Sequence, residues 1–60
     1  MRLHERLLMY KTEQRYTYRA LAGFLDTTLI FVHDFCKNKI KRVDADLALK
    51  IDRFLTERGY

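Results

Sequence analysis

Residues 17–36, TYRALAGFLDTTLIFVHDFC, decide how this chain folds. Leu21, Ala22 and Leu25 recur at the spacing of one helical face, and a second apolar run follows residues 26–28. The interrupting Asp-Thr-Thr favours caps and turns over helix interiors. So short a connection leaves no room for side-by-side antiparallel packing. The stretch therefore predicts two helices that cross at a steep angle around a short turn.

Hydrogen-bonding side chains predict where these two helices begin. Thr17 precedes the first of them, 18–25, and is able to accept a hydrogen bond from a free backbone N–H. Thr27 or Thr28 starts the next helix, which we expect to run to about Asn38. Its inward face is Phe31 or Val32 together with Phe35 and Cys36.

Two further helices flank this pair. Residues 3–11 place Leu3, Leu7 and Tyr10 on one stripe, which Leu8 and Met9 widen, and the polar residues 11–15 form the link that follows. At the other end, Asp44 is an expected N-cap for a helix over 45–57, and Gly59 is an expected stop signal. The apolar stripe of that last helix consists of Leu47, Ala48, Ile51, Phe54 and Leu55.

Composition agrees with an all-α fold, namely a compact bundle of four short helices that contains a helix-turn-helix, in a single domain over 1–60. The chain has no proline and two glycines, so it has few of the residues that form tight β-turns. Its 48% of hydrophobic residues is enough to form a core. One cysteine excludes an internal disulfide. Cys36, His4 and His33 are too few soft ligands for a structural zinc site. We expect no metal, no cofactor and no enzymatic activity, because so short a chain has little room for a shielded pocket.

Charge is distributed in blocks. Residues 1–19 carry five basic and two acidic side chains, and residues 37–42 carry four basic and no acidic ones. The intervening 20–36 contain no Lys or Arg and two aspartates. A net charge of +4 with a pI near 9.5 favours an acidic partner, of which nucleic acid is the commonest. No apolar run is long enough to span a membrane, and a free thiol without a secretion signal predicts a cytoplasmic protein.

The buried pattern carries a family resemblance. Leu21, Ala22, Leu25, Val32 and Phe35, with the short turn between them, resemble the helix-turn-helix of lambda-repressor-like (Cro-type) phage and bacterial regulators. Residues 44–55 resemble the helix that closes the core in that family, so the likeness covers about residues 17–55. Two features depart from it. Asp26 stands where the turn usually has glycine, and Tyr18-Arg19 replaces the glutamine or arginine that commonly opens the first helix of the pair.

The resemblance implies a small sequence-specific transcriptional regulator, a repressor of phage or plasmid type, that binds double-stranded DNA as a homodimer. Its helix 28–38 enters the major groove, and the basic segments lie on phosphates to either side. The base-facing residues are then Thr28, Leu29, Ile30, His33 and Lys37. The phosphate-contacting residues are Arg15, Tyr18, Arg19, Lys39, Lys41 and Arg42.

The helix over 28–38 also supports an alternative. Asp34 on its outward face is repelled by phosphate, and strong base-reading donors are few there. Leu29 and Ile30 are compatible with three surroundings: a helix buried on all sides, a protein interface, or contact with thymine methyl groups. The alternative function is therefore a protein-binding helical module, such as an inhibitor, an anti-repressor or a regulatory partner, with an apolar patch at Leu29, Ile30 and Phe31.

Overall fold

Four α-helices and no β-strand make up the fold in the computed structural model, which describes all of residues 1–60. The helices are α1 (Leu3–Gln14), α2 (Tyr18–Leu25), α3 (Leu29–Cys36) and α4 (Ala45–Glu57). α2 packs on α3, α1 packs on both α3 and α4, and α2 also contacts α4. The predicted all-α fold class is confirmed.

Side-chain caps set three of the helix starts. The Oγ1 of Thr17 accepts from the Ala20 N–H at 3.0 Å, and the Oγ1 of Thr28 accepts from the Phe31 N–H at 3.1 Å. Asp44 does the same for α4 through the Leu47 N–H at 3.2 Å. Each cap satisfies a backbone donor that the first helical turn leaves free. Of the two threonines predicted to start α3, Thr28 is the cap.

All four helices end in the same kind of loop. In each, a backbone N–H shortly after the helix donates a hydrogen bond to the carbonyl five residues earlier in the chain. Examples are the bonds from Tyr16 to Lys11 at 3.0 Å and from Thr27 to Ala22 at 2.9 Å. This closure requires a left-handed residue just after the helix. Those residues have φ between 55° and 83° and are Arg15, Asp26, Asn38 and Gly59.

Two predicted helix boundaries differ from the structure for this reason. α1 continues to Gln14 instead of stopping near Lys11, because the polar residues 12–14 contain no helix breaker and the left-handed turn comes only at Arg15. α3 stops at Cys36, not at about Asn38, because Asn38 itself takes the left-handed conformation with φ 60°.

The core joins all four helices. It contains Val32 from α3 as predicted, whereas Phe31 is only partly buried, and Cys36 behaves as a small core side chain that is 3% exposed. No polar or charged residue is buried. The buried set is Leu7, Tyr10, Leu21, Ala22, Leu25, Val32, Phe35, Cys36, Ile51, Phe54 and Leu55.

Aromatic rings and one arginine fasten the chain end to α1. Tyr10 contacts Phe54 and Tyr60 edge to face, with ring centroids 5.4 and 5.1 Å apart. Arg6 donates to Asp52 at 2.6 Å, to the Thr56 hydroxyl at 3.1 Å and to the Tyr60 carbonyl at 3.0 Å. The first and last segments of the chain are thereby held together, while α2 and α3 pack on each other and form the candidate site.

Candidate nucleic-acid interface

The pair formed by α2, the turn 26–28 and α3 is the scaffold of the candidate site. Leu21 and Leu25 of α2 and Val32 of α3 are fully buried. Ala22 is 5% exposed, so the small side chain lies in the core where a larger one would have to displace its neighbours. Asp26 takes φ 55° and ψ 49°, the left-handed geometry expected of the residue that stands in place of the turn glycine.

The outward side of α3 is accessible. Ile30 is 72% exposed and Leu29 37%, and Lys37 is exposed just past the helix end. Thr28 is also exposed, although its hydroxyl oxygen caps α3. Burial of this helix on all sides, one of the three surroundings considered for Leu29 and Ile30, is therefore wrong.

Phe31 departs from the patch predicted around it. Its ring stacks on Phe35, with centroids 5.6 Å apart and an angle of 16° between the planes, and it is partly buried against the core. The exposed apolar surface at the start of α3 is consequently made by Leu29 and Ile30.

His33 lies between α3 and α2, half-exposed. Its Nδ1 is 3.0 Å from the Asp34 carboxylate, and its ring meets the Tyr18 ring edge to face at 5.1 Å. Asp34 thus has a hydrogen-bonding neighbour on its own helix, and its carboxylate remains on the outward face. No hydrogen bond engages the other ring nitrogen, Nε2, so it remains available to a ligand.

Tyr18 holds a cation that the sequence pattern does not assign to the candidate site. The ammonium of Lys11 lies 4.4 Å from the centroid of the Tyr18 ring, a cation–π contact between α1 and α2. Lys11 was counted only among the polar linking residues in the sequence. Lys11 lies on the last turn of α1. Its contact with Tyr18 of α2 becomes visible only in the folded structure.

The cations predicted to contact phosphate carry no carboxylate partner. The ion pairs of the protein are Arg6–Asp52 and Arg58–Glu57, with the contact of His33 and Asp34 a third when the imidazole is protonated, and none of them uses these cations. All five are exposed, so each charge is free to meet an anion without breaking a contact. They are Arg15 and Arg19 beside the start of α2, and Lys39, Lys41 and Arg42 after α3.

Cys36 is a buried thiol at the end of α3, directly before Lys37. Burial raises the pKa of its thiol to about 11, and the charges of Lys11 and Lys37 oppose that rise. Lys37 directly follows Cys36 at the end of α3, and Lys11 is on the last turn of α1. The thiol stays protonated at neutral pH, and its low nucleophilicity agrees with a packing role.

Other features of the surface are two grooves. One, of about 330 Å³, runs along α4, and the other, of about 270 Å³, lies between the start of α1 and residues 38–43. No group of three or more His, Cys, Asp or Glu side chains is arranged to hold a metal ion. None of the four helices is both long enough and apolar enough to cross a membrane.

No protein-family model, no curated protein and no solved structure matches this chain. What is shown is therefore a small all-α fold of four helices, described by its own geometry and not by a family.

Proposed function

We propose that this protein is a small sequence-specific DNA-binding transcriptional regulator, a repressor of phage or plasmid type, with α3 in the major groove. The observation that carries the proposal is the arrangement of charge. Five exposed cations without carboxylate partners stand in the chain around the start of α2 and after α3, and α3 itself is accessible on one side and anchored in the core on the other. A duplex presents phosphates on both sides of its major groove, and such contacts supply affinity and orientation.

The two cation groups have separate tasks in this proposal. Arg15 and Arg19 lie beside the N-terminal end of α2, where free N–H groups and the helix dipole also favour a phosphate. Tyr18 adds a hydroxyl there and holds Lys11 over its ring. The segment 39–42 supplies the opposite clamp. Together they set the position of α3 without reading sequence.

Sequence is read by the outward side of α3. Leu29 and Ile30 suit thymine methyl groups, and Lys37 suits the O6 and N7 of guanine. The Thr28 hydroxyl is able to donate to a base or a phosphate while its oxygen caps the helix. His33 presents Nε2, whose role as donor or acceptor depends on the ring tautomer that its contact with Asp34 favours.

A homodimer completes the proposed function. One copy offers a short reading helix, so two copies on a two-fold operator double the number of base contacts. The half-sites are then expected about one helical turn, roughly 34–36 Å, apart.

The proposal is tested by charge reversal on the segment after α3. Lys39→Glu with Arg42→Glu should abolish retention of the protein on duplex DNA, measured by gel shift at low salt. Lys39→Glu alone is matched with Lys50→Glu, which reverses the same kind of charge on the exposed side of α4. Equal losses from these two single variants would show that overall charge, and not this segment, governs binding.

The exposure of Ile30 and Leu29 favours one second candidate, a protein-binding helical module used as an inhibitor, an anti-repressor or a regulatory partner. Its anchor is these two side chains with the edge of the partly buried Phe31. Leu29→Asp with Ile30→Asp should then abolish partner binding. Lys39→Glu with Arg42→Glu should leave that protein complex largely intact, which separates this candidate from DNA binding.

A further inference from the structure

Asp34 is the one carboxylate on α3, and the proposed function gives it no role. It follows Ile30 by four residues and precedes Lys37 by three, so the three side chains lie along one stripe of the helix surface. Ile30 is 72% exposed and the side chain of Asp34 is 37% exposed. The carboxylate at the middle of this stripe therefore faces whatever the outward side of α3 contacts.

His33 occupies one oxygen of this carboxylate and leaves the other free. The Oδ1 of Asp34 is 3.0 Å from the Nδ1 of His33. Because a carboxylate contains only acceptors, the proton of this hydrogen bond is on Nδ1. The imidazole ring is itself held by its edge-to-face contact with Tyr18 at 5.1 Å. The Oδ2 of Asp34 takes part in no hydrogen bond within the chain and is available to a donor from outside.

The pair of side chains presents only acceptors to a ligand. Oδ2 is one of them, and Nε2 is a second in the neutral ring, since the proton is on Nδ1. Phosphate oxygens, the O6 and N7 of guanine and the O4 of thymine are acceptors too, so none of them pairs with Oδ2.

Among the donors in a major groove, the amino group of cytosine matches this pair best. The two candidates are the N4 group of cytosine and the N6 group of adenine. Beside N6, adenine carries the acceptor N7, which repels a carboxylate, whereas cytosine has no second acceptor on its own major-groove edge. A carboxylate at this position therefore favours cytosine.

We propose that Asp34 determines sequence specificity, with its Oδ2 accepting a hydrogen bond from the N4 amino group of one cytosine in each half-site. His33 is the positioning residue that orients the carboxylate. This inference rests on the proposed function, because it requires α3 in the major groove. Since Asp34 lies between Ile30 and Lys37, the cytosine falls between the thymine that Ile30 contacts and the guanine that Lys37 contacts.

The charge of Asp34 makes this a contact of selectivity more than of affinity. Phosphates repel the carboxylate on every DNA sequence, and only a donor on the base offsets that repulsion. Discrimination thus comes from the penalty on the wrong base as well as from the hydrogen bond to the right one.

Selection of duplexes from a randomised library by the full chain tests the proposal, and it should enrich one cytosine position. Fluorescence anisotropy then compares the selected half-site with three duplexes in which that C·G pair is replaced. The wild type should bind the C·G duplex at least about tenfold more tightly than each of the others, a typical effect of one mismatched pair. Asp34→Asn should shift the preference to adenine, because an amide pairs with both N6 and N7.

Asp26→Asn is the matched control. Asp26 is the other aspartate of residues 20–36, and it lies in the turn before α3 with φ 55°, a left-handed conformation that asparagine tolerates. Both variants remove one negative charge, so both should bind non-specific duplex somewhat more tightly than the wild type. Only Asp34→Asn should change the preferred base. Equal changes of base preference in the two variants would overturn the proposal.

The positioning role of His33 has its own test. His33→Leu removes the donor to Oδ1 and should reduce the preference for cytosine. His33→Asn, whose amide nitrogen takes the place of Nδ1, should retain most of it. A purely structural role would instead weaken binding to all four duplexes by the same factor, which would overturn the positioning role. Circular dichroism verifies that each variant is folded.

Failure of this inference is distinguishable from failure of the proposed function. A wild type that binds duplex DNA without a preferred cytosine, or an Asp34→Asn variant that keeps the wild-type preference, would overturn the role of Asp34 and leave DNA binding standing. A wild type that binds no duplex at low salt would contradict the proposed function, and this inference with it.

Discussion

Replacing Lys39 and Arg42 by glutamine should change how steeply DNA affinity falls with salt. Each cation that neutralises a phosphate releases counterions and contributes about −0.9 to the slope of log K against log salt concentration. The structure offers five such cations in one copy, all exposed and free of carboxylate partners. One copy on a half-site duplex should therefore show a slope near −4.5, and the double variant a slope near −2.7.

Fluorescence anisotropy with a labelled half-site duplex measures both slopes directly. Between about 50 and about 200 mM salt the wild type should lose roughly 500-fold in affinity and the double variant roughly 40-fold. Lys50→Gln on α4 is the control, with the slope of the wild type. A wild-type slope near −1, or a double variant that keeps the wild-type slope, would refute the assignment of these cations to phosphates.

Three further predictions concern the scaffold and are measured by denaturant unfolding. Ala22→Leu should destabilise the fold by about 1–3 kcal/mol, because the added methyl groups have no space in the core, while Gly23→Ala, at an open helical position, should not destabilise it. Arg6→Ala should cost about 1–2 kcal/mol through the loss of three hydrogen bonds that are partly exposed, and an effect below that of Asp52→Ala would contradict this view of Arg6. The free energy of unfolding of the wild type should fall relative to Cys36→Ala above pH 9, by about 1.4 kcal/mol at pH 10, because the unfolded chain loses the thiol proton at a lower pKa than the folded chain does. A difference between those two proteins that is constant from pH 7 to pH 10 would mean that Cys36 is not held protonated by the fold.

The sequence predicts α2 and α4 to the residue because both ends of each carry chemical signals. Thr17 and Asp44 are side chains that cap helices, and Asp26 and Gly59 tolerate the left-handed geometry that ends them. The predicted α1 was too short because the spacing of apolar residues identifies only the buried stripe of a helix. Residues 12–14, which complete α1, are polar and exposed. α3 was predicted too long because its stop depends on one backbone conformation at Asn38.

Exposure of the candidate site was predictable and its internal contacts were not. The spacing of Val32 and Phe35 places Ile30 and Lys37 on the other side of α3, and the structure agrees. The contact between Lys11 and Tyr18 joins α1 to α2, and it follows from the docking of two helices whose relative position no local pattern encodes. The turn of Phe31 toward Phe35 likewise depends on space left by the rest of the core.

The shared way in which the helices end has a consequence for engineering this fold. Glycine occupies the left-handed position after α4, but arginine, aspartate and asparagine occupy it after the other three helices. A side chain in that conformation costs roughly 1 kcal/mol that glycine does not, so the protein retains an unused reserve of thermostability. At Asp26 a glycine would raise stability and also remove a negative charge near the proposed DNA surface. At Arg15 the same change would raise stability while deleting a proposed phosphate contact, so a more heat-resistant form obtained there trades away affinity for its target.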